Sequence, residues 1–344
     1  MSCIIFRFRP LKNDRHFNTN ISFLEIEILV LYPNKQSKFL EIEMNKQIQF
    51  KTMQFINQRS KLPKLDVHFI ELNEKTDKRR EGKNKMKTML FDLDGTMYRG
   101  PQPIEAGIRA VNFCAEHHIP YLFLTNNSMR TPEENVKHMT DMGYTNVHAE
   151  DFVNSAMAAA DYAARLDPNK RKAWMIGQNG MRQALFNEGF EITDDHPDYV
   201  FIGLDKTADY ATYSKALAML LDGAMLIGTN HDRILAKPGG FEVGNGAVVT
   251  LFEYATGKPS PKIGKPDLPI LETALKKAGI SKEDAIIIGD NLETDVALGY
   301  NNQVQTVFVQ SGVHQEKDIE RLQIFPDLTV SSLDDVDFLA LANA

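Results

Sequence analysis

Cysteine is scarce in this chain. Only Cys3 and Cys114 occur, which gives neither a disulfide framework nor the close spacing of a thiolate metal centre. So few thiols fit a reducing, cytosolic setting. Long hydrophobic runs are lacking too, and no stretch approaches the roughly 18 apolar residues that mark a membrane span. Glu25 and Glu27 interrupt the longest candidate near the start, 21–32, and Arg7 and Arg9 break any secretory core before it. There is no internal repeat and no low-complexity tract. Positive charge is not in excess: the formal net charge of −7 argues against a nucleic-acid-binding surface over the whole chain. These absences leave a soluble, cytoplasmic protein, without membrane or nucleic-acid partners, as the expectation.

The 344 residues are enough for two domains with buried cores. Charge is uneven along them. Residues 1–85 hold 17 lysines and arginines against 10 aspartates and glutamates, whereas 86–344 hold 22 against 36. Within the basic part, 21–32 and 39–50 alternate apolar and polar residues, a weak strand signal. The charged run 75–85 reads as a solvated linker. Two readings of 1–85 stand side by side. One is a basic accessory extension that binds a partner or an acidic surface. The other is a stretch upstream of a natural start at Met86, poorly ordered and without chemistry of its own, and this is the working expectation.

From Met86 onward, strand signals alternate with helical ones, the pattern of a parallel sheet flanked by helices. Strands are expected from Met89 and at 119–124, 147–154, 285–289 and 305–309. The turn signal Asp167-Pro168-Asn169-Lys170 opens a second α/β unit, with strands at 173–177, 199–204 and 224–228. Helices are expected at 107–118, 155–166, 179–188, 210–221 and 270–278, from about Thr294, and in an acidic piece from Ser332. Thr131 before Pro132 reads as a helix N-cap. The proline-rich stretch 257–269 reads as the hinge back. The organisation is then a core in two parts, 86–166 and 258–344, around an inserted unit, 167–257.

Three apolar strands run into polar groups. Met89-Leu90-Phe91 is followed by Asp92-Leu93-Asp94-Gly95-Thr96. A buried strand that ends in two carboxylates needs a cation to meet them, and Gly95 permits a sharp turn just beyond. In an open α/β sheet the carboxyl ends of the strands form the ligand crevice, which would put Asp92 and Asp94 within reach of a metal or a phosphate. Taken alone, the same motif reads equally as a solvated acidic turn. The second strand ends in Thr125-Asn126-Asn127-Ser128, whose donors could hold phosphate oxygens or simply form a polar loop. The strand 285–289 ends in Asp290 and, five residues on, Asp295. Lys265 stands between Gly264 and Pro266, which restrict its backbone and help aim its ammonium; the alternative is a surface lysine. Gly177-Gln178-Asn179-Gly180 lacks the lysine of a Walker loop and reads as a strand-to-helix turn.

In order and spacing, these elements resemble the haloacid dehalogenase-like (HAD) hydrolase superfamily: Asp-x-Asp-Gly-Thr, a strand ending in Thr or Ser, a Lys, and Gly-Asp-x-x-x-x-Asp. The interval between Asp92 and Thr125 is too short for an inserted domain, whereas the interval from Thr125 to Lys265 accommodates an α/β cap. Leu124-Thr125-Asn126-Asn127-Ser128, Gly228-Thr229-Asn230-His231-Asp232 and Ile263-Gly264-Lys265-Pro266 look like the NagD-like, 4-nitrophenylphosphatase branch. The likeness covers nearly all of 86–344 and none of 1–85. Gln303 departs from it, where the family usually has a glycine near a helix end.

The resemblance implies a Rossmann-like core with a cap between the second and third motifs. It implies a Mg²⁺-dependent phosphatase that acts on small phosphorylated metabolites through an aspartyl-phosphate on Asp92. Asp94 would be the general acid and base. Thr125, Asn126, Asn127 and Lys265 would hold the phosphoryl group. Asp92, the backbone carbonyl of Asp94 and Asp290 would bind Mg²⁺, with Asp295 as a further ligand or a support. Asn230, His231 and Asp232 are cap candidates for substrate contact, and each could equally hold a loop. Caps of this branch point to a homodimer. A phosphotransferase or mutase sharing the intermediate, and a non-catalytic phosphate-binding module, are the alternatives.

Overall fold

The structure is a computed structural model that describes residues 86–237 and 239–344 and, upstream, only the backbone of four strands. Those four, Cys3–Pro10, Phe23–Tyr32, Lys35–Asn45 and Val67–Ile70, belong to one sheet. Two of them overlap the alternating stretches of the sequence. The remainder of 1–85, and with it the expectation of a poorly ordered segment, lies outside the described residues. Residues 84–344 form a compact unit of their own.

That unit contains two parallel sheets. In chain order the strands are β1 Thr88–Phe91, β2 Tyr121–Thr125, β3 Phe152–Asn154, β4 Lys172–Ile176, β5 Glu191–Ile192, β6 Tyr199–Ile202, β7 Met225–Gly228, β8 Ala285–Gly289, β9 Gln305–Val309 and β10 Leu328–Val330. The larger sheet has the order β10-β9-β8-β1-β2-β3 and the smaller β5-β4-β6-β7. Helices α1 Glu105–Glu116, α2 Pro132–Asp141, α3 Ser155–Leu166, α4 Asn179–Asn187, α5 Tyr210–Leu221, α6 Asn245–Thr256, α7 Leu268–Ala278 and α8 Ala297–Asn302 supply the connections and flanks. Among the described residues, no helix is long and apolar enough to cross a membrane.

The central strands β1 and β8 are buried along their whole length, as continuous apolar runs must be when helices cover both faces. Side chains alternate between the faces. Met89 and Phe91 pack with Val111, Phe123 and Ile288 on one side, and Leu90 packs with Leu122, Leu124, Ile287 and Leu271 on the other. Each such side chain contributes about 1.5–3 kcal/mol by leaving water. Helix α3 joins the two sheets. Its alanines are buried nearly all round, in one apolar cluster with Leu124 of the larger sheet and Phe201 and Ile227 of the smaller. Small side chains let both layers approach it closely.

Several expected boundaries move. Helix α1 starts at Glu105 rather than at 107 and ends at Glu116 rather than 118, because His118 takes a left-handed backbone, φ 55°. Only the last three residues of 147–154 are strand, preceded by a 3-10 turn, Ala149–Asp151. The helix expected from Thr294 begins instead as a π-helical turn, Leu292–Val296, before α8. Gln303 takes the left-handed conformation, φ 59°, that its place after a helix demands. The Thr131 cap is present as a full capping box with Glu134.

Candidate active site

Strand register brings the polar ends together. Phe91 pairs with Ile288 on one side and with Phe123 on the other. Asp92, one residue on, and Asp290 and Thr125, two residues on, therefore emerge at one edge of the sheet, the carboxyl edge where α/β sheets bind ligands. The Asp92 N–H still donates to the Ile288 carbonyl at 2.8 Å, which locks its backbone to β8. Carboxylate oxygens of Asp92, Asp290 and Asp295 lie within 4.8 Å of one another, and all three residues are buried.

Lys265 is not a surface lysine. It is 3% exposed, and its ammonium donates to Asp92 Oδ1 at 2.5 Å, Asp295 Oδ1 at 2.7 Å and the Leu124 carbonyl at 2.8 Å. Three acceptors saturate the three N–H bonds. Burial works against its charge, but the carboxylates of Asp295 and Asp92 outweigh burial and hold its pKa above the ordinary lysine value.

Each carboxylate has its own anchors. Asp290 Oδ2 accepts from the Val313 N–H at 2.7 Å, and its Oδ1 from the Thr96 hydroxyl at 3.1 Å. Thr96 therefore has a place in the site that sequence reasoning did not assign, although it belongs to the Asp-Gly-Thr motif. Gly95 has φ 101°, and a Cβ there would stand 2.4 Å from Asp290 Oδ2, so only glycine serves. The π-helical turn carries Asp295 back so that its Oδ2 accepts from the Asn291 N–H at 3.1 Å.

Negative charge still exceeds positive. Burial, then the neighbouring Asp92 and Asp295 charges, push Asp290 well above the usual carboxylate range. Burial and the Asp92 charge raise Asp295 to about 6 in spite of Lys265, and burial also raises Asp92. Three convergent, buried carboxylates with one cation among them form an all-oxygen donor set. That set fits a small, hard divalent cation, which would repay their desolvation.

The other expected residues occupy distinct places. The Asp94 side chain is exposed, two residues beyond Asp92. Thr125 is buried, and its hydroxyl accepts from the Asn127 N–H at 3.1 Å. Asn127 Oδ1 accepts from the Met129 N–H at 3.0 Å. The Asn126 side-chain amide donates to Asp232 Oδ1 at 2.9 Å and to the Lys265 carbonyl at 3.0 Å, and accepts from the Lys265 N–H at 2.8 Å. Asn230 donates to the Asn126 carbonyl at 2.8 Å, so Asn230 and Asp232 both hold the loop after β2. Between them, His231 Nε2 lies 3.9 Å from Glu253 Oε1.

Known proteins share this fold and much of the sequence. A profile described as haloacid dehalogenase-like hydrolase matches residues 89–191, and a HAD-hydrolase-like profile matches 262–336. Acid sugar phosphatase of Staphylococcus epidermidis is 36% identical over 245 residues, covering 71% of this chain and 94% of the relative. The crystal structure of a double mutant of thermostable NPPase from Geobacillus stearothermophilus superposes with TM-score 0.68 at 36% identity, over 74% of this chain and 99% of that one. NagD from E. coli K-12 gives TM-score 0.68 at 28% identity, over 74% and 99%. By these matches the chain belongs to the haloacid dehalogenase-like hydrolases, in the branch that holds NagD and the 4-nitrophenylphosphatases.

Proposed function

We propose that this protein is a Mg²⁺-dependent phosphatase that hydrolyses small phosphomonoesters through an aspartyl-phosphate on Asp92. The observation that carries the reading is the meeting of Asp92, Asp290 and Asp295 with the Lys265 ammonium at one strand edge. The names of the relatives make sugar phosphates the first substrates to try and p-nitrophenyl phosphate the convenient probe.

Asp92 attacks phosphorus with a carboxylate oxygen. The phosphorus–oxygen bond to the alcohol breaks, and an acyl phosphate forms, so that one hard displacement becomes two easier ones. Asp94, two residues on and exposed, donates the proton that the leaving alkoxide needs. It then takes a proton from the water that hydrolyses the acyl phosphate and releases inorganic phosphate. Lys265 supplies positive charge and the Thr125 hydroxyl a donor to the phosphoryl oxygens. Asp92, Asp290 and Asp295, with the Asp94 carbonyl, would hold Mg²⁺, whose charge lets an anionic nucleophile meet an anionic ester. The smaller sheet with its helices, 167–257, is read as the cap that selects the organic part of the substrate.

The test is a phosphate-release screen over a panel of phosphometabolites, with and without Mg²⁺. Asp92→Asn is expected to abolish turnover, and normal activity in that variant would refute the assignment. Asp94→Asn is expected to slow esters with poor leaving groups most, and wild-type rates on them would remove Asp94 from its role. Release of inorganic phosphate without an added acceptor alcohol separates a hydrolase from a phosphotransferase.

A further inference from the structure

We propose that Asp232, delivered by the loop after β7, is a positioning residue for Lys265 and acts on it through the amide of Asn126. The inference rests on the reading of Lys265 as the cation that meets the phosphoryl group, and goes beyond it by assigning the smaller α/β unit a part in holding that lysine.

A primary amide has two N–H bonds and one carbonyl oxygen. In Asn126 all are engaged: one N–H goes to Asp232 Oδ1, the other to the Lys265 carbonyl, and the oxygen accepts the Lys265 N–H. Asn126 thus reads both polar atoms of the Lys265 peptide backbone, and Asp232 is the group that engages what remains of the amide. A carboxylate is the stronger partner, because a charge-assisted bond is roughly twice as strong as a neutral one. Its bond to one end of the amide also polarises the other end.

Asp232 is itself held. Its N–H donates to Asn230 Oδ1 at 3.2 Å, and Asn230 Nδ2 returns to the Asn126 carbonyl at 2.8 Å. The Ser155 hydroxyl donates to that same carbonyl at 2.6 Å. Lys265 needs such support, because its ammonium must meet Asp92, Asp295 and Leu124 at once from the end of a flexible stem. A backbone shift of about 1 Å at a reacting group costs on the order of 100-fold in rate.

The test compares wild-type full-length protein with Asp232→Ala, Asp232→Asn, Asn126→Ala and the double variant Asn126→Ala/Asp232→Ala. Two readouts are taken: hydrogen exchange at the Lys265 amide, and kcat and KM for p-nitrophenyl phosphate. In Asp232→Ala, the Lys265 amide is expected to exchange faster, and kcat to fall about 10- to 100-fold with KM nearly unchanged. Asp232→Asn, which keeps a carbonyl acceptor, is expected to recover most of both. In the Asn126→Ala background, removing Asp232 is expected to add little. Unchanged exchange in Asp232→Ala would overturn the proposal. So would a KM effect alone, which would mark Asp232 as a substrate contact, or losses that simply add. If Asp232→Ala fails to fold, Asp232→Leu fills the space without an acceptor and is read the same way. If the wild type releases no phosphate, the phosphatase reading fails, while the exchange measurement still decides the clamp.

Discussion

Gly312, in the loop after β9, allows a test of the triad that changes no polar group. Its backbone φ lies outside the left-handed region, so alanine suits its conformation. Space does not suit it. A Cβ there would lie 1.8 Å from Asp290 Oδ2 and 2.4 Å from Asp290 Cγ, where contacts under 3.0 Å are essentially never seen. The carboxylate or the loop must move by more than about 1 Å before the contact becomes tolerable, and a close-packed interior offers little room for that. Asp290 would give up its bonds from Val313 and Thr96, each worth about 0.5–1.5 kcal/mol net. Gly312→Ala is therefore expected to be roughly 1–3 kcal/mol less stable, and to retain its fold. Activity should suffer more, by about 100-fold if a displacement of that size reaches the reacting groups. Initial rates of phosphate release across a Mg²⁺ titration, with urea unfolding alongside, measure both effects. The apparent Mg²⁺ requirement should rise as kcat falls. Wild-type turnover with an unchanged Mg²⁺ response would refute the placing of Asp290 at the reaction centre.

Three other outcomes are expected. Lys265→Met keeps the stem and removes the charge, which leaves buried carboxylates without their partner; in chelator it should cost about 3–5 kcal/mol by urea unfolding, and an unchanged midpoint would contradict the ion-pair geometry. The metal-free protein should lose stability as pH rises from the ordinary carboxylate value of 3.8 to about 6, the value for Asp295. Across that window the folded state binds more protons than the unfolded chain, so unfolding free energy falls with pH; Mg²⁺ should flatten the slope, and stability that rises through the window in chelator would contradict it. Burial raises the Cys114 thiol to about 12, and thiolate is the reactive form. With Cys3→Ser in place, the native protein should resist thiol reagents at neutral pH and react only on unfolding, whereas rapid native labelling would show that Cys114 is accessible.

What could be read from sequence, and what could not, follows from the range of the interactions. Strands β1 and β8 announce themselves because burial on both faces demands unbroken apolar runs, and a carboxylate at the end of such a run is conspicuous. The Thr131–Glu134 capping box lies within four residues and is local. Strand β10 is short and partly exposed, and β5 has two residues, so neither carries a pattern. The turn Leu292–Val296 has no periodic signature, because one extra residue in a helical turn leaves composition unchanged. Its purpose appears only when Asp295 meets Lys265, 30 positions away. Asn126 is the sharpest case. Its neighbours Thr125 and Asn127 mark a polar loop, and nothing local shows that its side-chain amide binds Asp232 and Lys265, 106 and 139 positions distant. Local polarity identifies where chemistry gathers, and only the fold decides which polar group faces a ligand and which faces another side chain.

The charge balance of the site explains why these residues tolerate one another. In their ionised forms, Asp92, Asp290, Asp295 and Lys265 sum to −2, inside a region with almost no solvent access. The backbone N–H groups of Val313 and Asn291 and the Thr96 hydroxyl soften this but carry no net charge. A folded chain can answer such an excess in two ways: by raising carboxyl pKa values until protons reduce it, as burial does here, or by taking up a cation of matching charge. Protonation stabilises the fold but silences Asp92, since a protonated carboxyl is a poor nucleophile. A divalent ion balances the charge and keeps the carboxylate anionic. On the proposed reading, the excess charge has a use: it would bind a metal and leave Asp92 free to attack a phosphate, as stored strain at functional sites serves function elsewhere.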